Sequence, residues 1–254
     1  MNDFFEIDTK EFSALSFGEV MLRLSPEGQE RIAQSVEFMK HAGGSELNVV
    51  SGIAKLGLRT GLISKLPDNA VGRFIRNKIR SYGVSDEYVI DDHSAGARLG
   101  LYYYEGGSYP RKPQVAYDRR NSSFTTMDLS EIPEDIFLKT ALFHTSGISL
   151  ALGSTTRETA IALLKGFNAA GARTSFDMNY RAGLWSEEEA RKVIKPILPY
   201  VDILFVSEET SRRMLQKTGT LEEIQRSYHE EYGISVIAST QRSINSPRSH
   251  DFGL

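Results

Sequence analysis

Three groups of residues in this chain combine types and spacings that suit recognition of a small polyhydroxylated acid. In Phe176-Asp177-Met178-Asn179-Tyr180-Arg181 an acid, an amide and a guanidinium alternate just past an apolar run, so in an extended chain all three project to one side. Arg181 is suited to grip a carboxylate or phosphate bidentately; the alternative is that Asp177 caps the following turn and pairs with Arg181 at the surface. In Val115-Ala116-Tyr117-Asp118-Arg119-Arg120, Tyr117 and Arg119 share a strand face, and Tyr102, which follows Gly100-Leu101, can lie opposite them. Phenol rings cover a carbon skeleton and Arg119 neutralises a carboxylate; the competing use of a tyrosine-rich hairpin is packing or a subunit interface. The third group, Gly43-Gly44-Ser45-Glu46-Leu47-Asn48, joins a glycine pair to a helix start. There the main chain admits close approach of a ligand, and Asn48 offers an amide on the first turn. Ser45 is the expected cap, and Leu47, Val50, Ile53, Ala54 and Leu56 are the expected buried stripe before Gly57 ends the helix. Taken alone, this run also fits a glycine turn capping a packing helix.

The elements that must position these groups alternate in type. Residues 14–24 read as one strand with Leu15, Phe17, Val20, Leu22 and Leu24 pointing inward, and residues 32–39 as a second strand or part of a flap. A strand over 60–66 and a helix over 69–82 follow, with Val71, Phe74, Ile75, Ile79 and Tyr82 on one helix face and Gly83 as its stop. Two aromatic-rich runs, 98–104 and 114–118, joined by Glu105-Gly106-Gly107-Ser108-Tyr109-Pro110, read as a hairpin outside the main alternation. With residues 23–40, this segment (97–120) is assigned to a small β lid. The alternation resumes with strands over 141–145, 174–177 and 203–206 and helices over 155–170 and 186–197; Ser186 and Glu189 form a capping box, and Ser207 is placed to cap the next helix. Residues 241–254 complete no recognisable element. Strand–helix alternation implies a mostly parallel three-layer α/β/α sheet, with ligands at the carboxyl ends of the strands.

Composition narrows the function classes. A chain of 254 residues with 40% hydrophobic and 25% charged residues can bury a single sizeable core, so one α/β domain over 1–254 carrying the lid is expected. A net charge of -3 gives no whole-protein reason for a nucleic-acid or membrane partner, and no apolar run is long enough to span a bilayer. Absence of cysteine excludes disulfide and thiolate chemistry and makes the cytoplasm the default location. The five histidines are scattered singly, so no metal site is expected.

The spacing G-G-x-x-x-N followed by Leu56-Gly57 resembles the first motif of the PfkB (ribokinase-like) family of sugar kinases, in which the second glycine and the Asn contact the sugar. D-x-N-x-R with Leu184-Trp185-Ser186, and the runs 97–104 and 115–121, resemble the keto-deoxy-sugar-acid branch of that family. The resemblance implies a ribokinase-like fold and an ATP-dependent sugar kinase acting on the 6-hydroxyl of 2-keto-3-deoxygluconate with ATP and magnesium. It implies sugar-acid contacts at Gly43, Gly44, Asn48, Tyr102, Tyr117, Arg119, Ile148 (in Ser146-Gly147-Ile148), Asp177, Asn179 and Arg181, the last also meeting transition-state charge. Ser207, Ser239, Thr240 and Arg242 are the implied nucleotide contacts, and the lid the implied route to a homo-oligomer. Where the family carries N-x-x-E, this chain has Ser207-Glu208-Glu209-Thr210. The family's G-A-G-D run, which supplies the anion hole and the general base, has no counterpart in these residues, and the resemblance ends near residue 242. A C-terminally truncated, inactive or impaired kinase is therefore the expectation, unless Asp177 or Asp251 serves as base. The alternatives left open are a non-catalytic sugar-acid-binding or assembly module, and a fructokinase or ribokinase.

Overall fold

The structure, a computed structural model, describes residues 10–107, 110–246 and 249–253. Packing divides the chain into two units, Ser16–Glu131 and Ile132–Leu254, the latter joined by the chain up to Leu15.

The apolar run at 14–24 is not one strand: β1 (Phe12–Phe17) and β2 (Met21–Pro26) are separated by Gly18-Glu19-Val20. The Gly18 amide donates to the Ile63 carbonyl, and Ser64 Oγ donates to the Gly18 carbonyl at 2.8 Å. Past that anchor the chain leaves one sheet for another. The next strand, β3 (Phe38–Gly43), starts later than the alternation at 32–39 suggests, because Val36 is 93% exposed and offers no buried face to hold a strand there.

Helix α1 (Ser45–Lys55) leads to β4 (Thr60–Pro67). Gly44, not Ser45, is its N-cap, since Ser45 Oγ donates to Glu46 Oε2 at 2.7 Å instead. Leu47 and Val50 are buried and Ala54 packs against the same core, whereas Leu56, the C-cap just past the helix, is 81% exposed. Helix α2 (Ala70–Ser81) is capped by Asn69, whose side chain accepts from the amides of Val71 and Gly72; Ile75 and Ile79 are buried, and Val71 faces outward. β5 (Val84–Ser85) and β6 (Val89–Asp92) both pair parallel with β4. Leu47, Val50, Leu62, Leu66, Ile75 and Ile79 share one core cluster, the burial that holds these helices on their strands.

A separate four-stranded sheet has the order β3-β2-β7-β8, completed by β7 (Leu101–Glu105) and β8 (Gln114–Asp118). β2 pairs antiparallel with β3 and parallel with β7, and β7 and β8 form the expected antiparallel hairpin. This sheet takes in the segments assigned to the lid.

In the other unit, β9 (Thr140–Ser146), β10 (Arg173–Asp177), β11 (Ile203–Phe205) and β12 (Val236–Ala238) run parallel in the order β12-β11-β10-β9. They alternate with α3 (Gly147–Ala151), α4 (Ser154–Ala169), α5 (Glu187–Ile194), α6 (Glu208–Arg213) and α7 (Leu221–Tyr232). Phe143 of β9 stacks on Phe167 of α4 with ring centroids 4.5 Å apart. The Ser186–Glu189 capping box is present. α5 stops at Ile194 rather than residue 197 because Pro196 and Pro199 force the continuation, Lys195–Tyr200, into a tighter 3-10 form. Residues 241–254, which show no apolar alternation, nevertheless contain two antiparallel strands, β13 (Gln241–Ser246) and β14 (Ser249–Gly253).

Candidate functional site

Parallel strands deliver their carboxyl ends to one edge of a sheet, and β10, β11 and β12 end around a cavity of about 310 Å³. Asp177, Asn179 and Arg181 all line it, with Ser207, Thr210 and Thr240. They do not gather by strand alternation, as an extended chain would require. Asp177 Oδ1 accepts from the Asn179 amide at 3.0 Å, and Asn179 takes a positive φ of 33°, a conformation that Asn tolerates better than most residues. The resulting turn is pinned by the Met178 amide donating to the Phe205 carbonyl at 2.9 Å and by Tyr180 Oη donating to the Trp185 carbonyl at 3.1 Å. Ser146 lies in register with Asp177, and Gly147 is needed beside it because a side chain there would meet the Met178 carbonyl. Ile148 sits in the first turn of α3, just past the end of β9, and outside the cavity lining. Arg181 is exposed, and its Nη1 donates to the Tyr180 carbonyl at 3.1 Å rather than pairing with Asp177.

The expected nucleotide contacts divide. Thr240 is exposed at the cavity, whereas Ser239 is buried. Ser207 is the cap of α6: its Oγ accepts from the Thr210 amide at 3.1 Å and donates to Thr210 Oγ1 at 2.9 Å. Arg242 lies on β13, and its side chain falls outside the described residues. Glu208 and Glu209 are engaged one turn along α6 by Arg212 and Arg213. Among the described residues no group of three His, Cys, Asp or Glu is arranged to hold a metal ion.

In the unit Ser16–Glu131 the register of the small sheet brings the lid residues together. Tyr102 pairs with Tyr117 across the hairpin, ring centroids 5.7 Å apart, and the Arg119 guanidinium lies 5.9 Å from the Tyr117 ring. Tyr102 also reaches Gly43: a side chain at Gly43 would collide with the Tyr102 hydroxyl, and one at Gly44 would meet the Glu19 carbonyl. The glycine pair thus first serves close packing of the protein's own groups. Asn48 is exposed on the first turn of α1, its amide donating to the Gly44 carbonyl at 3.0 Å.

Arg119 lies one residue past β8 instead of on the strand, and it is not free to neutralise a ligand. Its Nε donates to Glu19 Oε2 at 2.9 Å, its Nη2 reaches the same oxygen, and Ser122 Oγ donates to Glu19 Oε1. Both ends of the pair are buried, the side chains 10% and 2% exposed. Sequence reasoning missed Glu19 and also Arg23, the one charged residue in Met21-Leu22-Arg23-Leu24. Burial pushes the Tyr102 phenol above its ordinary value, with the charge of Arg23 opposing it. Burial, then the charges of Arg23 and Lys78, hold His41 below the usual imidazole range.

Comparison with known proteins adds the following. The family model of pfkB family carbohydrate kinases matches residues 12–241. The chain is 42% identical over 207 residues to the 2-dehydro-3-deoxygalactonokinase of Haloferax volcanii, a match covering 81% of this chain and 64% of that relative. To the 2-dehydro-3-deoxygluconokinase of Bacillus subtilis it is 32% identical over 178 residues, covering 69% of this chain and 53% of the other. The chain therefore spans less than two thirds of the length of these curated relatives. The crystal structure of a 2-dehydro-3-deoxygluconokinase from Thermotoga maritima matches at a TM-score of 0.85 and 34% identity, over 91% of this chain and 72% of that one. The mostly parallel sheet flanked by helices is the ribokinase-like architecture.

Proposed function

Because this chain belongs to the pfkB family of carbohydrate kinases, we propose that it serves ATP-dependent phosphorylation of a 2-keto-3-deoxy sugar acid, with 2-keto-3-deoxygluconate as the substrate. The observation that carries the reading is the cavity at the ends of β10, β11 and β12, where Asp177 and Asn179 present hydrogen-bonding groups beside an exposed Arg181. All three relatives named above support the substrate class by their names. In this reading Tyr102 and Tyr117 cover the sugar skeleton, the Gly43-Gly44 main chain and Asn48 take hydroxyl groups, and Ile148 adds an apolar wall. Arg181 meets the negative charge that spreads over the transferring phosphoryl oxygens. Thr240 at the cavity, with Ser207, Ser239 and Arg242, belongs to the nucleotide side. Magnesium would neutralise the phosphates, but Glu208 and Glu209 are held by arginines, so no step is assigned to a protein-held ion. A second copy of the chain on the outer strand β8 completes the proposal, since Val115 and Tyr117 are 45% and 59% exposed there.

One observation favours a second reading, a kinase of neutral sugars: with Arg119 already neutralised by Glu19, the cation expected to select an acid is occupied. Isothermal titration of the 254-residue chain with 2-keto-3-deoxygluconate and with fructose separates the two. Tighter binding of the acid is expected; equal or tighter binding of fructose would overturn the sugar-acid reading.

A further inference from the structure

Helix α6 is tied to α7 by a line of hydrogen bonds whose direction follows from the proton count. Tyr228 Oη donates to Ser211 Oγ at 2.9 Å, and Ser211 Oγ donates to the Ser207 carbonyl at 3.1 Å. A hydroxyl has one proton, so Ser211 gives its own to the carbonyl and accepts the one from Tyr228. Ser207 carries the line to the cavity: its Oγ donates to Thr210 Oγ1 at 2.9 Å, and both residues line the space at the ends of β10, β11 and β12. The Thr210 hydroxyl accepts there, and among the described residues no acceptor takes its own proton. Packing alone does not call for this line. Tyr228 and Ser211 are 0% and 1% exposed, where Phe and Ala would leave no polar atoms to satisfy. The Tyr228 ring is itself held, because Lys217 Nζ stands 4.9 Å from its centroid while paired with Glu231 at 2.7 Å, and the Lys217 amide donates to the Ser211 carbonyl at 3.1 Å. Burial pushes the Tyr228 phenol up to about 12, so it keeps the proton that the line requires.

We propose that Tyr228 is a positioning residue for nucleotide binding: through Ser211 it fixes the turn at Ser207 and so holds the Thr210 hydroxyl at the cavity as a donor to a phosphate oxygen of ATP. The ligand chemistry follows from what the line offers. A hydroxyl that has accepted one hydrogen bond presents its proton, and ionised phosphate oxygens are acceptors. The acids of the same turn do not oppose this, because Glu208 and Glu209 are paired with Arg212 and Arg213. Tyr228 does not line the cavity, so it acts only through its neighbours. The inference rests on the nucleotide reading of this side of the cavity given above and goes beyond it by naming Thr210 as a contact and Tyr228 as the group that sets it.

The test is isothermal titration of the parent chain, Tyr228→Phe, Ser211→Ala and Thr210→Val with ATP alone and with 2-keto-3-deoxygluconate alone. Beside it, hydrogen exchange by NMR follows the Thr210 amide, whose bond to Ser207 Oγ at 3.1 Å reports the turn. Tyr228→Phe keeps the ring and removes the hydroxyl. It is expected to weaken ATP binding about 3- to 10-fold, the scale of one hydrogen bond, to leave the acid affinity unchanged and to speed exchange at Thr210. Ser211→Ala breaks the same line and should do the same. Thr210→Val should lose at least as much ATP affinity, with Tyr228→Phe adding nothing to it in the double variant. Parent-like ATP affinity in Tyr228→Phe or Thr210→Val, equal losses for ATP and acid, or additive losses in the double variant would overturn the assignment. Should Tyr228→Phe fail to fold, Ser211→Ala decides by the same criteria. A parent chain that binds no ATP defeats the nucleotide reading itself; Thr210 exchange then still reads whether Tyr228 holds the turn, and parent-like exchange in Tyr228→Phe would show that it does not.

Discussion

The small mixed sheet of the unit Ser16–Glu131 and the parallel strand ends of the unit from Ile132 onward place their candidate site residues by different rules. At the ends of β10, β11 and β12, topology delivers the residues and a turn at Asp177–Asn179 aims them, leaving Arg181 exposed and donating to the Tyr180 carbonyl. In the small sheet, cross-strand register assembles the row, and buried charge decides which member is free to act. Two arginines near the same tyrosines therefore differ in kind, Arg119 locked to the Glu19 carboxylate and Arg23 set against Tyr102 and the Tyr104 ring. Chemical type alone does not identify a binding residue; the state of its partners does.

That contrast breaks most readily at Arg119. Removing one partner of a buried pair leaves an uncompensated charge, so Arg119→Ala should cost about 3–5 kcal/mol in urea denaturation. Arg181→Ala, at an exposed site, should stay within about 0.5 kcal/mol. Similar small losses for both would dissolve the distinction. Next in size is Gly43→Ala, expected to cost about 1–3 kcal/mol because the added methyl meets the Tyr102 hydroxyl. Tyr102→Phe removes that oxygen, so the double variant should recover much of the loss; strict additivity would show that the hydroxyl is not the obstacle. On the other unit, Ser207→Ala should cost about 1 kcal/mol through loss of the α6 cap, measured by the same denaturation.

The smallest expected effect is on acid stability. The Glu231 carboxyl is held at about 2, below its ordinary 4.5, first by its hydrogen bond from Lys217 and then by that from Tyr232, with the charges of Lys217 and Lys195 adding to them. A folded-state value below the unfolded one means that the stabilisation is full above pH 4.5 and is lost as pH falls towards 2. The side chain is 44% exposed, so solvent screening reduces the contribution to about 1 kcal/mol or less. Glu231→Gln should flatten this part of the pH–stability curve, and an unchanged acid limb would remove Lys217–Glu231 from the account.

Much of the strand–helix alternation was legible because period and punctuation agree: Gly83 follows the end of α2, Ser186 and Glu189 cap α5, and the Tyr102–Tyr117 pairing follows from hairpin alternation. Asp177, Asn179 and Arg181 were legible as a group, though not the turn that gathers them, because an Asx turn and extended alternation place the same residues near a strand end. Glu19 and Arg23 were illegible. Residues 14–24 look like one apolar strand, and only the change of sheet after Gly18 buries Glu19 against a residue far along the chain and sets Arg23 opposite Tyr102. The strands at 241–246 and 249–253 escaped notice for a simpler reason, since a polar pair without apolar alternation carries no periodic mark.

The central proposal is that this chain recognises a keto-deoxy sugar acid and that the Gly43–Tyr102–Tyr117 group of the unit Ser16–Glu131 contacts it. Its most direct test is titration of 2-keto-3-deoxygluconate into the isotope-labelled chain, followed by amide chemical shifts. Saturable shifts at Gly43, Gly44, Tyr102 and Tyr117, with fructose saturating only at higher concentration, are expected. Unmoved amides at these positions under excess acid, or earlier saturation by fructose, would contradict it.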